Sequence, residues 1–193
     1  MKDGQKTIYF VTSSNNYKAA LKSPFYEPIK DSGMPVLVLT NQLDEFCLQS
    51  AENYHGYKFV NLEQANIDEV RKEIGIAAPE GDLEGRLPEE EVTNFCLWLK
   101  DCLSSKIAKV KLSTRLSSTP AIAVGEMSSS MFMMMQMMQA QQGSAGGMPD
   151  MQGQKDLTLE INPNHPTIVN LNTIRKSEPV FARDIAKVFL DNI

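Results

Sequence analysis

Apolar runs separated by glycine and proline divide the first third of the chain into alternating strands and helices. Runs rich in β-branched and aromatic residues predict buried strands at residues 7–12, 36–39 and 56–62. Helices are predicted at residues 16–31, interrupted by Ser23-Pro24, and at residues 42–53. Strands that alternate with helices are typical of a parallel sheet with helices packed on it. We therefore expect a small three-layer αβα subdomain here.

The pattern changes after residue 75. Glycine and proline punctuate residues 75–88 and predict a linker. An amphipathic helix is predicted at 89–104, because one face carries Val92, Phe95, Cys96, Leu99, Cys102 and Leu103. Strands follow at 107–113, 120–124 and 157–161, and two helices at 164–176 and 178–193. We expect an α/β protein, α+β overall, with domains at 1–86 and 87–193, the second mixed and ending in helices.

The last predicted helix carries an apolar stripe that runs to the final residue. Its members are Phe181, Ile185, Val188, Phe189 and Ile193. No glycine cap or polar tail follows the stripe, although helices commonly end in one. We therefore expect the chain to be a fragment whose stripe packs on a segment outside it.

Residues 127–154 hold nine of the eleven methionines and a single charged residue, Asp150. The segment from Met131 to Gln142 predicts a helix whose methionines cover more than half of its circumference. Methionine surfaces re-pack against many partners, which indicates a protein-interaction surface. Two alternatives stay open: a helix buried in the core of this chain, and a helix lying on a membrane surface. The membrane alternative is weaker, because the polar strip lacks lysine and arginine.

The net charge, the cysteines and the histidines of the chain argue against several classes of function. The net charge of -5 makes nucleic acid a poor partner. Three cysteines, Cys47, Cys96 and Cys102, form no disulfide framework, and we interpret all three as core residues. A nucleophilic cysteine is the enzyme alternative. The histidines, His55 and His165, lack a second ligand at metal-binding spacing, and no phosphate-binding glycine loop occurs. We predict no catalytic, cofactor-binding or metal-ligating residue.

Five motifs in fixed order suggest a family. They are Met1–Phe10 (M-K-x-x-Q-K-x-I-Y-Y), Ser23–Glu27 (S-P-x-x-E), Leu43–Phe46 (D-E-aromatic), Val110–Pro120 (V-x-x-S-x-R-L-x-x-x-P) and Leu159–His165 (L-E-I-N-P-x-H). In this order and spacing the chain resembles the ninety-kilodalton heat-shock chaperones from residue 1 to residue 193. Glu126-Met127, Leu157-Thr158 and Arg175–Pro179 look most like the mitochondrial member, with a cytoplasmic or plastid location as the alternative.

The resemblance implies an ATP-dependent chaperone that binds and remodels unfolded or partly folded client proteins and works as a homodimer. This chain would cover the end of the middle domain and most of the C-terminal domain. In the family, the regions that bind ATP and magnesium precede these domains. We therefore expect this chain to be no enzyme itself, although the full-length parent would be an ATPase.

The resemblance also implies two sets of site residues. Client contact in this family falls on an amphipathic helix, which matches Met131, Phe132, Met134, Met135 and Met138. Ser128-Ser129-Ser130 stand where many relatives carry a tryptophan. Dimerisation falls on the last helices, which matches Phe181, Ile185, Val188 and Phe189.

Overall fold

A computed structural model describes most of the chain, namely residues 5–13, 16–51, 53–77, 86–104, 106–125, 127–128, 131–135, 137 and 157–193. The described residues form two compact units. The first comprises residues 5–77 together with the described part of 127–137, and the second comprises residues 86–125 and 157–193. The predicted domains, 1–86 and 87–193, stay a prediction.

The first unit is built on a four-stranded sheet in the order β2-β1-β4-β3. Its strands are β1 (Thr7–Thr12), β2 (Val36–Leu39), β3 (Asn53–Tyr54) and β4 (Tyr57–Asn61). Strand β1 pairs in parallel with both β2 and β4, which confirms the parallel α/β prediction. The short strand β3 runs antiparallel to β4, and the turn between them places Gly56 at φ 85°, a left-handed conformation that favours glycine.

Helices cover both faces of this sheet. On the first face lie α1 (Tyr17–Ala20), a 3-10 helix (Glu27–Ser32) and α3 (Ile67–Ile74), around a core that includes Tyr9 and Val11. On the second face lies α2 (Gln42–Ala51), whose Glu45 side chain bonds Thr12 and Asn61. The mixed α and β architecture that the sequence predicts is thereby confirmed. Helix α3 is an addition to the predicted elements.

One carboxylate ties α3 to β1. Glu73, in the last turn of α3, accepts hydrogen bonds from Thr7 Oγ1 at 2.9 Å and Tyr9 Oη at 2.8 Å. Burial raises the pKa of Glu73, but the bonds from Thr7, Tyr9 and the Lys6 backbone outweigh burial and hold that pKa below its ordinary value. Burial and the neighbouring Glu73 both raise the pKa of Tyr9. The hydrogen bond between them therefore favours an ionised Glu73 carboxylate and a neutral Tyr9 hydroxyl.

The second unit packs three helices and three strands around one core. Its members are α4 (Glu89–Cys102), β5 (Ile107–Leu112), β6 (Ala121–Val124), β7 (Leu157–Ile161), α6 (Pro166–Ser177) and α7 (Pro179–Asp191). The sheet order is β5-β7-β6, with β5 parallel and β6 antiparallel to β7. Fully buried side chains from all three helices meet one face of this sheet; they include Phe95, Leu99, Leu159, Ile161, Ile168 and Ala182. Residues 131–135 and 137 are helical and are called α5.

Candidate functional site

Helix α5 begins with a serine cap. Ser128 is buried, and its Oγ accepts a hydrogen bond from the Met131 backbone N–H at 3.3 Å. The Phe132 backbone N–H donates to the Ser128 carbonyl oxygen at 3.0 Å, which closes the first turn. Serine is a preferred residue at this position because its side chain satisfies a backbone donor that the helix leaves unpaired. Ser128 therefore starts α5.

The side chains of α5 differ in exposure. Met133, Met135 and Met137 are 46%, 39% and 59% exposed. Met131, Phe132 and Met134 are half-buried. The predicted client-binding residues therefore divide into one exposed residue, Met135, and three half-buried ones, while Met138 lies outside the described residues. Met133 and Met137 were left out of the prediction, although they are at least as exposed as Met135.

Helix α7 carries one packed face and one open face. Ala182 and Ala186 are fully buried against the core of the second unit. Their small side chains, one helical turn apart, let α7 approach that core closely. Of the predicted dimerisation residues, Ile185 and Phe189 are half-buried against the core. The outward apolar residues Val180, Phe181 and Val188 are 79%, 54% and 61% exposed.

Helix α6 is fixed to α4 by polar contacts. Glu91 of α4 accepts bonds from Lys176 Nζ and from Asn172 Nδ2 of α6. The bond from Lys176 and then the bond from Asn172 lower the pKa of Glu91 below its ordinary value. The Arg175 guanidinium lies 5.6 Å from the ring centroids of both Phe95 and Trp98, within cation–π distance. These contacts fix the helix that immediately precedes α7.

A buried ion pair joins β7 of the second unit to the loop that follows β5, and each of these segments carries one of the motifs described above. Glu160 of β7 accepts from Arg115 Nε at 3.0 Å, and both residues are almost fully buried. Ser113 Oγ donates to the same carboxylate at 3.0 Å, and Lys111 Nζ lies 3.0 Å from its other oxygen. Three donors around one acceptor carboxylate compensate much of its desolvation.

Asn162 joins the same two motifs from the other side. Its Nδ2 donates to the backbone oxygens of Ser117 at 3.0 Å and Thr119 at 3.3 Å. Its backbone N–H donates to the Pro120 carbonyl at 2.8 Å. The serine-arginine motif and the L-E-I-N-P motif are therefore one physical unit, in which β7 holds the connection between β5 and β6.

The cysteines do not share one environment. Burial raises the pKa of Cys96 and of Cys102, which matches their interpretation as packing residues. The same interpretation is wrong for Cys47, which is exposed. Helix α2 instead turns Glu45 inward, where the carboxylate is fully buried and hydrogen-bonded, and this orientation places Cys47 outside.

The histidines have local structural roles. His55 adopts φ 49° in the turn between β3 and β4. His165 is the N-cap of α6, where its Nδ1 accepts from the Thr167 backbone N–H at 3.2 Å. Within the described residues, no group of three or more histidine, cysteine or acidic side chains could hold a metal ion. A search of the same residues finds no helix long and apolar enough to cross a membrane.

Comparison with known proteins gives one family. The family described as Hsp90 protein matches residues 1–192. The chain is 33% identical to the chloroplastic heat shock protein 90-5 of Arabidopsis thaliana over 93% of its length. It is 34% identical to the chaperone protein HtpG of Shewanella amazonensis over 94% of its length. It is 29% identical to the mitochondrial TNF receptor-associated protein 1 homolog of Dictyostelium discoideum over 100% of its length.

These relatives are much longer than the chain, which covers 22%, 26% and 25% of them respectively. The comparison overturns one expectation from the sequence. We expected a non-enzymatic chain, but the matching Hsp90 chaperones are ATPases. The prediction that the chain is no enzyme was therefore wrong.

Proposed function

The chain belongs to the Hsp90 family, and we propose that the protein acts as an ATP-dependent molecular chaperone that binds and remodels unfolded or partly folded clients. ATP and magnesium are its cofactors in this proposal. The chain's own contribution is a client-binding surface on α5 and part of a dimerisation surface on α7. The observation that carries the proposal is the exposure of Met133, Met135 and Met137 in a helix of a chain with this family match.

The chemistry of α5 suits clients without a fixed sequence. Methionine side chains are flexible and polarizable, so that they fit apolar segments of different shapes. Burying one methionine contributes about 1.5–3 kcal/mol, and part of that gain is offset by the ordering of the side chain and the client. Three exposed methionines therefore support weak and promiscuous binding. Met131, Phe132, Met134 and Met138 complete the proposed surface.

The open face of α7 supports the dimerisation part of the proposal. Val180, Phe181 and Val188 are all exposed on a helix whose other face is well packed. Contiguous exposed apolar residues are typical of interaction sites. In the proposed homodimer these side chains, with Ile185 and Phe189 behind them, meet the second copy of the protein.

We propose a mitochondrial location for the protein. The sequence similarities at Glu126-Met127 and Arg175–Pro179 support it. Relatives include proteins named as mitochondrial and one named as chloroplastic, so that the cytoplasm and the plastid are the alternatives. Import of the full-length protein fused to a fluorescent reporter would distinguish these compartments.

Suppression of client aggregation tests the α5 surface. The test variant replaces Met133, Met135 and Met137 with aspartate in the 193-residue chain. The matched control is Leu97→Asp, because Leu97 is an exposed apolar residue of α4 outside the proposed surface. Light scattering of a thermally unfolding client protein is followed with each variant present, and circular dichroism checks that both variants fold.

We expect the unmodified 193-residue chain and its Leu97→Asp variant to reduce client aggregation to the same extent. The triple aspartate variant should lose most of this effect, because burying a charge against an apolar client is unfavourable. Equal suppression by the triple variant and the control would contradict the proposed client surface.

A further inference from the structure

A cavity of about 300 Å³ opens between α2 and the sheet of the first unit. Its lining is half apolar and half carboxamide: Phe10, Leu48, Gln49, Phe59, Asn61 and Gln64. This volume is at the lower end of the range of small-molecule sites, which combine apolar walls with a few polar groups. The cavity therefore suits a ligand of a few heavy atoms.

The cavity lies beside the carboxyl end of β4, where the strand order of the sheet reverses. Asn61 is the last residue of β4 and is in register with Phe10 of β1. The chain passes from β1 to β2 on one side and then returns to β4 on the other side of β1. In parallel α/β sheets, ligands bind at the carboxyl ends of strands where the strand order reverses in this way.

A buried carboxylate stands directly behind the cavity. Glu45 of α2 is fully buried, and its Oε1 accepts from Asn61 Nδ2 at 2.8 Å and from Gln49 Nε2 at 3.3 Å. Its Oε2 accepts from Thr12 Oγ1 at 3.3 Å. Donors on both oxygens are the partners that an ionised carboxylate takes, and the first turn of a helix also favours that charge. Among the described residues, Glu45 takes part in no ion pair.

The side-chain amides of Gln49 and Asn61 connect Glu45 to the cavity. Gln49 and Asn61 both line it and both donate to Glu45. Because Gln49 donates through Nε2, its Oε1 remains as an acceptor for an incoming donor. The rings of Phe10 and Phe59 also line the cavity, and aromatic rings attract cations. The charge of Glu45, the Gln49 oxygen and the two aromatic rings all favour a ligand with a cationic N–H donor.

We propose that this cavity binds an alkyl cation, a guanidinium or primary ammonium group on a short apolar stem. The cation lies against the Gln49 carbonyl oxygen, with Glu45 supplying the opposite charge from behind, and the stem packs on Leu48 and the two rings. A free small molecule and an arginine or lysine side chain both present this chemistry. The site lies outside the client and dimerisation surfaces proposed above.

A pair of matched probes tests the charge requirement. The 193-residue chain is titrated with n-butylguanidinium and with n-butylurea, its neutral analogue of nearly the same shape, and amide and side-chain NMR signals are followed. We expect saturable shifts at Gln49, Asn61 and Gln64 with the guanidinium and only weak shifts with the urea. Equal binding of the two probes would overturn the proposal, because the cavity would then be selecting shape alone.

Exposed positions on α2 give variants that keep Glu45 itself and its bonds from Thr12 and Asn61. Gln49→Lys places a positive charge at the cavity, and Ser50→Lys places the same charge on the neighbouring exposed residue, which does not line it. We expect Gln49→Lys to weaken n-butylguanidinium binding about fivefold or more, the upper range for an exposed charge pair. Ser50→Lys should change it less than about twofold. Equal effects of the two lysines would overturn the proposal.

The opposite charge gives an independent check. Gln49→Glu should strengthen n-butylguanidinium binding by about twofold to fivefold relative to Ser50→Glu. No difference between these two variants would count against the site. A short arginine-containing peptide then separates the two sources of the cation. Tighter binding of the peptide than of n-butylguanidinium assigns a protein side chain, and equal binding assigns a free small molecule.

Discussion

Removing Arg115 should strongly destabilise the second unit. The Arg115 and Glu160 side chains are 7% and 4% exposed, and the Arg115 Nε–Glu160 Oε2 distance is 3.0 Å. Breaking a buried ion pair by removing one partner costs about 3–5 kcal/mol, because it leaves a buried charge uncompensated. Lys111 and Ser113 remain near Glu160 in the variant, so that we expect a loss near the lower value, about 3 kcal/mol. That is a large part of the stability of a typical domain.

The assay is urea unfolding followed by tryptophan fluorescence. Trp98 is the one tryptophan of the chain and packs against the core of the second unit, so that its emission reports this unit. Arg115→Met keeps much of the side-chain length while removing the charge. The control is Lys111→Met, which removes the exposed partner of the same carboxylate and should cost about 1 kcal/mol or less.

A double-mutant cycle completes the test. Glu160→Gln alone should also destabilise the unit, and Arg115→Met with Glu160→Gln should cost less than the sum by about 1–3 kcal/mol. A loss below about 1 kcal/mol for Arg115→Met, or full additivity in the cycle, would refute the role assigned to this pair.

Three other predictions concern an interface, a thiol and an acid. Val188→Glu should shift the full-length protein from dimer towards monomer in sedimentation velocity, while an unchanged dimer would remove α7 from the interface. Cys47 should react rapidly with Ellman's reagent, and Cys96 and Cys102 slowly, because the latter are partly buried with raised pKa values. Three equally fast thiols would contradict this packing. The pKa of Glu73 is lowered in the folded protein. The hydrogen bonds of Glu73 therefore stabilise the fold at pH values above the ordinary pKa of about 4.3. This stabilisation is lost as the pH falls through the pKa that Glu73 has in the folded protein. Glu73→Gln should therefore reduce the acid-side loss of unfolding free energy, and an unchanged pH profile would argue against this bond network.

The elements with regular apolar spacing could be predicted from the sequence. Residues 7–12, 36–39 and 89–102 carry patterns of β-branched or helical type, and the structure forms β1, β2 and α4 there. Strand β3 has only two residues, which is too short for any periodic signal. Helix α3 could also have been predicted, since Ile67, Val70 and Ile74 have helical spacing with charged residues between them.

The orientation of α2 could not be predicted from apolar spacing alone. Hydrophobic pattern places Phe46, Cys47 and Leu48 towards a core, but the structure turns Glu45 inward and leaves Phe46 exposed. The reason is tertiary: the donors that satisfy Glu45 come from β1, from β4 and from the next turn of α2. A carboxylate that is buried because its partners converge from distant segments leaves no periodic signal in the sequence. The cavity beside Glu45 leaves no sequence signal for the same reason.

The family motifs were more informative than periodicity. Ser113 and Arg115 in one motif and Glu160 and Asn162 in the other meet in a single polar cluster. The sequence showed the motifs but not their contact, since they are separated by more than forty residues, as in the Ser113–Glu160 bond with a separation of 47. The exposure of Met133 and Met137 also needed the structure, because a wide apolar arc does not say which part of it is covered.

The central claim is that α5 contacts client proteins, and site-specific photo-crosslinking tests it most directly. A benzophenone side chain is introduced at Met135 of the full-length protein and, as a control, at Leu97, and each is irradiated with an unfolded client under conditions of ATP turnover. The account predicts a covalent adduct with the client from position 135 and little or none from position 97. Equal yields at the two positions, or no adduct from position 135, would contradict it.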